Sequence, residues 1–364
     1  MNKEQNSYNK KFAISQSAIK DWEEISPLKW KKTWIDKSIP RSAPGAAAAF
    51  GTLVDCLVFT PDRFKKQFEI SDIKLPSETI MKIVEGVYNN LKELNKNIQV
   101  LNVENKNNIT IPHKELKLDY KDVIQKLSLD FEYYTKQPER AYNEVLKNGT
   151  TYFDYIVKLD GKKPVTQSDY DKAMKLRDIL YTDTSVKGFF KSTRNTETIF
   201  QQGIYTNFEV VGFDNIDFIP VKGLLDNIYF NHKKKEVREI DLKVPMDAFN
   251  FKDSIKRFRY TRQHSFYDYL LREWLKTYKN GEYKDYTVGN PLNVVIDEHD
   301  QIPYIYQYNY NDLVIERTGH EAMHWIKGWE EIIYEIAFHI DTQQWDRPKQ
   351  HILNGFIPVN QFKR

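Results

Sequence analysis

Two aspartates and a lysine stand at spacings that could bring them to one point in the folded chain. Asp226 is followed, after fourteen intervening residues, by Asp241 and Lys243 in the run Ile240-Asp-Leu-Lys-Val244. Alternate side chains of a strand share a face, so Asp241 and Lys243 would point one way while their aliphatic neighbours pack on the other. A turn at residues 231 to 235 would return the chain alongside Asp226. We expect two carboxylates and one ammonium to converge.

This set of side chains suits the hydrolysis of a phosphodiester bond. Mg²⁺ prefers hard oxygen ligands and keeps several waters, one of which can become the attacking nucleophile. Lys243 would orient that water or stabilise charge on the phosphate, and the carbonyl oxygen of Leu242 could be a further ligand. We predict one or two Mg²⁺ or Mn²⁺ ions at Asp226 and Asp241. An Asp-x-Lys on a strand is also common on solvated faces, so its context decides the interpretation.

A downstream segment adds polar residues at helical spacing. Gln263 and Tyr267 stand four apart and share a helix face, and Arg259 and Arg262 lie within the preceding turn. An amide, a phenol and guanidinium groups could hold the DNA strand being cut. The alternative is a helix that packs Tyr267 into the core and leaves its polar residues solvated. We expect the neighbouring His264 to lie on the surface of that helix.

Several elements must position these residues. We predict two short helices within residues 15 to 37, and a small-residue helix from Gly45 to Phe59 that ends before Pro61. A mostly helical insertion at residues 70 to 165 precedes a helix at 167 to 182 and an antiparallel meander at 197 to 244. Helices at about 247 to 257 and 259 to 279, strands near 292 to 297 and 303 to 309, and a long helix at about 311 to 341 follow.

Composition limits the class of protein. The 364 residues, 40% of them hydrophobic, can bury a substantial core. A single cysteine, Cys56, excludes a disulfide framework, a four-cysteine zinc site and an iron–sulfur cluster held by this chain alone. No secretory signal or membrane span is expected, which favours the cytoplasm. The net charge of +3 identifies no partner, so binding to nucleic acid would depend on local basic runs at 233 to 238 and 252 to 262.

The order of the motifs resembles the PD-(D/E)XK nuclease superfamily. The motifs are Gly51-Thr-Leu-Val-Asp55, Gly-x-x-Asp226, Asp241-x-Lys243 and Gln263-x-x-x-Tyr267. Ser15-Gln-Ser-Ala-Ile-Lys, Ser26-Pro27 and the run from Phe50 to Phe64 are similar to the opening of RecE-type phage and prophage exodeoxyribonucleases. The resemblance spans residues 15 to 64 and about 166 to 275.

The resemblance implies one α/β nuclease domain over residues 1 to 364, with the 70 to 165 insertion inside it. Its core would be restriction-endonuclease-like, an αβββαβ unit with a mixed central sheet flanked by helices. The implied activity is exonucleolytic digestion of duplex DNA ends with two divalent metals, which would supply single strands to an annealing protein in recombination or repair. A homo-oligomeric ring is also suggested.

One departure concerns the small-residue helix. The family often carries a metal-binding histidine in Gly-x-x-x-His, and Asp55 takes that place here. A carboxylate is an acceptable ligand for Mg²⁺ or Mn²⁺, and it is costly to bury unpaired in the run Val-Asp-Cys-Leu-Val. We predict that Asp55 is a metal ligand; the alternative is a substitution in a weakened site.

Three alternatives remain open. His320-Glu321-Ala-Met-His324 matches the H-E-x-x-H motif of zinc metalloproteases, although the third ligand that a catalytic zinc needs is missing downstream. A second alternative is a DNA-binding scaffold that keeps the nuclease fold without catalysis; both acids and the lysine argue against it. Endonucleolytic cleavage of the restriction type, or action on RNA, is a substrate variant of the same core.

Overall fold

The computed structural model of the protein describes residues 12–41, 46–105, 116–319 and 327–357. Within these ranges, no helix is both long and apolar enough to cross a membrane. The chain divides into two compact units, one formed by Met1–Pro61 with Lys172–Arg364 and the other by Asp62–Asp171. The second unit has nearly the bounds of the segment that we expected to be an insertion.

The elements follow one another in a mixed order of helices and strands. In chain order the helices are α1 (Gln16–Glu24), α2 (Pro27–Trp34), α3 (Ala46–Phe59), α4 (Phe64–Gln67), α5 (Glu78–Asn105), α6 (Lys121–Asp130), α7 (Pro138–Leu159), α8 (Gln167–Thr182), α9 (Lys187–Phe190), α10 (Phe251–Phe258), α11 (Tyr260–Leu275), α12 (Tyr310–Thr318), α13 (Trp329–Thr342) and α14 (Lys349–Asn354). The strands are β1 (Phe68–Ile70), β2 (Lys163–Val165), β3 (Thr196–Glu209), β4 (Phe218–Asn231), β5 (Glu236–Lys243), β6 (Thr287–Val288), β7 (Leu292–Val295) and β8 (Tyr304–Gln307).

A six-stranded sheet organises the larger unit. Its order is β3-β4-β5-β7-β8, with β6 paired to β5 off this path. Strands β3, β4 and β5 form the antiparallel meander, β5 runs parallel to β6 and β7, and β8 returns antiparallel to β7. The sheet is therefore mixed and flanked by helices, as the sequence predicted at this level; the specific restriction-endonuclease-like core stays a prediction.

Alternation along β4 explains which face of the sheet is buried. Val221, Gly223 and Leu225 are buried, while Lys222 and Leu224 between them are partly exposed. Period-two alternation of this kind places one set of side chains on each face of the sheet. Asp226 therefore lies on the face opposite to Leu225, away from that part of the core.

Helix α11 lies close against the sheet at Gly223. A Cβ built on Gly223 would stand 2.5 Å from Leu270 Cδ1 and 3.0 Å from Tyr267 Cε1. Glycine lets the helix approach the strand this closely. The helix that carries Gln263 therefore packs against β4 at Gly223, three positions before Asp226. Helices α1, α2 and α13 contribute to the same hydrophobic core.

The smaller unit has its own hydrophobic core. Helices α5, α6 and α7 contribute buried residues that include Ile83, Ile124 and Phe153. A two-stranded parallel sheet of β1 and β2 belongs to the same unit. An independent core of this kind is what defines a compact folding unit.

The expected long helix near the C-terminus is wrong. Helix α12 ends at Thr318, and Gly319 follows with a φ of 88°. A positive φ at glycine is a common way to end a helix. A separate helix, α13, begins at Trp329 with Gly328 before it. The motif His320-Glu321-Ala-Met-His324 falls in the intervening segment and lies outside the described residues.

Candidate active site

Four polar residues line up across four neighbouring strands of the sheet. Gln201 and Asp226 stand at corresponding positions between the β3–β4 pairs Phe200–Asn227 and Gln202–Leu225. The β4–β5 pairing ends at Asn227 opposite Ile240, immediately beside Asp226 and Asp241. Asp241 pairs in turn with Asn293 of β7. Directly opposite residues share a face of a sheet. We call Gln201, Asp226, Asp241 and Asn293 the polar row.

Each carboxylate of the polar row accepts a hydrogen bond from the amide beside it. Gln201 Nε2 donates to Asp226 Oδ1 at 3.0 Å. Asn293 Nδ2 donates to Asp241 Oδ2 at 2.8 Å and to the carbonyl oxygen of Asp241 at 3.2 Å. The backbone N–H of Leu242 donates to Asp226 Oδ2 at 3.4 Å, which connects the two central strands. The carboxylates are thus enclosed between two uncharged donors.

Lys243 stands beside Asp241 as the alternation of β5 predicted. Its Nζ lies 2.5 Å from Asp241 Oδ2 and 4.9 Å from the centroid of the Tyr260 ring. Only 20% of the lysine side chain is exposed, and Asp241 is buried. Burial acts to lower the pKa of Lys243, but Asp241 and Asp226 raise it above its ordinary value. The ammonium therefore stays charged.

Gln263 joins the site from helix α11. Its Nε2 donates to Asp241 Oδ1 at 2.8 Å, so the helix and strand β5 meet at this carboxylate. The prediction placed Gln263 near the acids, and the structure brings it there. Tyr267, one turn later, is partly buried against Gly223 of β4. Tyr267 therefore packs as the alternative expected, but the polar residues of the helix are not solvated, because Gln263 bonds to Asp241 and Arg262 and His264 are buried. A contact of Tyr267 with DNA stays a prediction.

Asp55 belongs to the same electrostatic site. It lies in α3, and its charge interacts with those of Lys243, Asp241 and Asp226. Burial, opposed by Lys243 and reinforced by Asp241, raises the pKa of Asp55 to about 7. Burial and the charges of Asp241 and Asp55 also hold the pKa of Asp226 well above its ordinary value. Three carboxyls against one lysine make a site short of positive charge.

This shortage is what a divalent cation would relieve. In the described part of the chain, no group of three or more His, Cys, Asp or Glu side chains is placed as it stands to hold a metal ion. Asp241 is instead engaged by Lys243, Gln263 and Asn293. The donor chemistry nevertheless fits Mg²⁺ or Mn²⁺, because these ions prefer hard carboxylate oxygens and the neighbouring carboxyls disfavour one another's charged forms. Asp226, Asp241 and Asp55 are the residues that would hold the ion, and the role of the Leu242 carbonyl stays a prediction.

The two arginines that we expected at the DNA are engaged in ion pairs. The guanidinium of Arg262 is fully buried, and its Nη1 lies 2.5 Å from Glu23 Oε2. Arg259 donates to both oxygens of Glu23 at 2.9 Å and to Glu316 at 3.2 Å, with 29% of its side chain exposed. Arg262 thus ties helix α11 to α1. Its burial gives no support to a role in DNA binding, whereas Arg259 keeps some access to solvent.

His264 is not on the helix surface, which corrects our expectation. It is fully buried, and its Nδ1 lies 2.5 Å from Glu239 Oε2. Its ring centroid stands 4.2 Å from that of Tyr308. The Tyr308 hydroxyl donates in turn to Asn293 Oδ1. Buried side chains therefore connect Glu239 to Asp241 through His264, Tyr308 and Asn293.

Sequence reasoning missed Gln201, Asn293, Tyr308 and Glu239. None of them lies in a motif, and each acts through a partner on another element. One signal was available: Glu239 and Asp241 alternate on β5, so a second acid on the same face pointed to a further buried cation.

No protein-family description matches the sequence, and no curated protein matches it.

Proposed function

We propose that the chain is a metal-dependent deoxyribonuclease that digests duplex DNA from its ends. One observation carries the proposal: Asp226 and Asp241 stand immediately beside the last residue pair of β4 and β5, and the largely buried ammonium of Lys243 stands 2.5 Å from Asp241 Oδ2. Paired carboxylates with one lysine are the side chains that metal-assisted phosphodiester hydrolysis requires. The motif order of the resembling nucleases supports the same function.

Asp226, Asp241 and Asp55 would bind the metal. Two of these carboxyls have raised pKa values because burial and neighbouring carboxylates disfavour their charged forms. A bound Mg²⁺ supplies a Lewis acid and a water of lowered pKa. The surrounding amides hold the carboxylate oxygens in fixed directions, which reduces the reorganisation that binding would cost.

Lys243 would act on the phosphate side of the reaction. Its ammonium is held between Asp241 and the face of the Tyr260 ring, so it presents a fixed positive charge in a site with little access to water. A preorganised charge in such a site stabilises negative charge that develops in the transition state. Gln263 holds the Asp241 carboxylate beside Lys243 through the 2.8 Å hydrogen bond.

DNA is the substrate that the resemblance supports. The turn between β4 and β5 adds three exposed lysines, Lys233, Lys234 and Lys235, at the tip of the hairpin that carries both acids. Exposed lysines contact phosphates without reading sequence. Such contacts suit an enzyme that digests duplex ends of any sequence.

End-labelled linear duplex DNA tests the proposal. The purified chain should release label in the presence of Mg²⁺ or Mn²⁺ and stop when a chelator is added. Asp241→Asn and Lys243→Met should each lower the rate by about 100-fold or more. Comparison of 5′-labelled with 3′-labelled duplexes gives the polarity of digestion.

Matched controls separate the site from general effects of charge. Asp217→Asn and Lys284→Met remove the same charges from exposed positions and should cleave like the unmodified chain. Chelator-resistant cleavage, or full activity in Lys243→Met, would overturn the assignment.

Closed circular duplex DNA and an RNA duplex, used as parallel substrates, distinguish exonuclease, endonuclease and ribonuclease action. Tightly bound zinc that is lost in His320→Ala would favour the metalloprotease instead.

A further inference from the structure

Gln201 has an unusual backbone for a residue inside a strand. It lies in the fourteen-residue strand β3 with a φ of 51°, a left-handed conformation that residues with a Cβ rarely adopt. Its neighbours on both sides pair regularly with β4, but Gln201 itself does not. Conformations of this kind persist where the surrounding structure holds them, and they concentrate at functional sites.

The left-handed backbone of Gln201 accompanies a hydrogen bond from its side chain to Asp226. Its amide donates to Asp226 Oδ1 at 3.0 Å, directly across from the residue. Leu242 N–H occupies the other oxygen at 3.4 Å. Both oxygens of Asp226 are therefore directed by donors that carry no charge.

Asn293 does the same for Asp241 from the opposite end of the polar row. It is fully buried, and its Nδ2 lies 2.8 Å from Asp241 Oδ2. The Tyr308 hydroxyl bonds to the Asn293 oxygen, which leaves the NH₂ group to face the carboxylate. The reverse orientation would set the amide oxygen against an anion. Tyr308 thus selects the useful orientation of Asn293.

We propose that Gln201, and Asn293 under the control of Tyr308, are positioning residues that aim the carboxylates of Asp226 and Asp241 at the metal. The proposal rests on the proposed function, because it assigns these residues to the same metal site. Neutral amides suit this role because they direct an oxygen by hydrogen bonding and add no positive charge to compete with a cation. Partners that orient metal ligands typically contribute 10- to 100-fold, roughly, to metal affinity or activity.

Two variants separate positioning from support of the fold. Gln201→Gly removes the amide and suits the left-handed backbone, so the metal-free protein should melt at the same or a higher temperature. Its Mn²⁺ affinity, measured by calorimetry, should nevertheless fall by about 10- to 100-fold. Gln201→Asn keeps a shorter amide and tolerates this backbone, so it should recover part of the affinity. Tyr308→Phe keeps the ring against His264, loses the hydroxyl, and should also weaken Mn²⁺ binding.

Matched controls exist for both variants. Gln343 is exposed and also has a left-handed backbone, with a φ of 57°, so Gln343→Gly should stabilise the fold similarly without changing Mn²⁺ affinity. Tyr310 is half-exposed, and Tyr310→Phe should leave Mn²⁺ binding unchanged.

The outcomes distinguish this inference from the function on which it rests. If the unmodified chain binds Mn²⁺ and cleaves DNA while Gln201→Gly and Tyr308→Phe bind Mn²⁺ equally well, the positioning role is overturned and the nuclease stands. If the unmodified chain neither binds Mn²⁺ nor cleaves DNA, the proposed function and the positioning role both fall. Weaker Mn²⁺ binding in these two variants, with both controls unchanged, supports the inference.

Discussion

Gln263 Nε2 lies 2.8 Å from Asp241 Oδ1, so a side chain of helix α11 meets the central carboxylate of the sheet. Asn293 and Lys243 both engage the other oxygen of the same group. The Asp241 carboxylate is therefore contacted by side chains from one helix and two strands. Its orientation depends on elements that are distant from one another in the sequence.

Replacement of Gln263 by leucine should slow DNA cleavage more than it destabilises the fold. The variant loses the donor to Asp241 Oδ1 but keeps a side chain of similar size. We expect a fall in kcat of about 10- to 100-fold, because partners of metal ligands typically contribute that much. Initial rates on labelled duplex DNA measure the effect. Gln307→Leu, at an exposed glutamine of β8, is the control, and equal rates in the two variants would contradict the prediction.

Lys243→Met should separate metal binding from catalysis. The ammonium and a divalent cation would compete for Asp241 Oδ2, since Lys243 already lies 2.5 Å from that oxygen. Removal of the lysine should therefore leave Mn²⁺ binding equal or tighter while cleavage falls by about 100-fold or more. Calorimetry with Mn²⁺ and a cleavage assay on the same sample check both parts. Parallel losses of binding and cleavage would show that Lys243 supports the metal site itself.

The central pairing of the site could be predicted because it depends on local pattern. Alternation of apolar and polar residues placed Asp241 and Lys243 on one face, and a short turn returned the chain to Asp226. Spacing of four residues placed Gln263 and Tyr267 on one side of a helix. These inferences need only the geometry of one strand, one turn or one helix.

The supporting residues could not be predicted because their partners are far away in the chain. Asn293 is 52 residues from Asp241, and it reaches β5 through a parallel pairing that leaves no local pattern. Arg262 pairs with Glu23 across 239 residues, so its burial was hidden in a segment that looked like a basic surface. His264 was misjudged for the same reason, since its partner Glu239 lies on another element.

Gly223→Ala should destabilise the larger unit. A Cβ at this position would stand 2.5 Å from Leu270 Cδ1 and 3.0 Å from Tyr267 Cε1, so these side chains or helix α11 itself must shift. We expect a loss of about 1–3 kcal/mol in the free energy of unfolding, as for other overpacked sites. Urea unfolding measures it. Gly188→Ala, where a Cβ would meet nothing within 4 Å, is the control, and an equal effect in both would contradict the close approach.

Glu23→Ala should reveal whether Arg262 is structural. The variant leaves a fully buried guanidinium without its carboxylate, and burial already lowers the pKa of Arg262. Breaking one side of a buried ion pair costs about 3–5 kcal/mol. The double variant Glu23→Ala, Arg262→Met should recover part of that loss, because no unpaired charge remains.

Urea unfolding of the two variants measures this recovery, and DNA binding by Arg262→Met separates the alternatives. If Arg262 ties α11 to α1, the folded fraction of Arg262→Met should bind duplex DNA like the unmodified chain. A selective loss of DNA binding at unchanged stability would restore the direct contact that the sequence suggested.

His339 should make the larger unit less stable in mild acid. It is buried between Trp22 and Trp345, and its Nδ1 donates to the carbonyl oxygen of Gln344. Burial lowers the pKa of His339, although Glu335 and Asp346 oppose this effect and Lys349 adds to it. The unfolded chain therefore takes up this proton at a higher pH than the folded chain, so stability falls as pH drops below about 6.5.

His264 changes the pH dependence of stability in the opposite direction, so a variant of His339 is needed to measure the contribution of His339 alone. Burial alone would lower the pKa of His264, but Glu239 raises it above its ordinary value, so its contribution grows as pH falls. The free energy of unfolding in urea should decline less steeply from pH 7 to pH 5 in His339→Gln than in the unmodified chain. His299→Gln, at an exposed histidine, is the matched control. A slope that stays the same in His339→Gln would show that the pKa of His339 does not differ between the folded and unfolded chains, which would contradict the prediction.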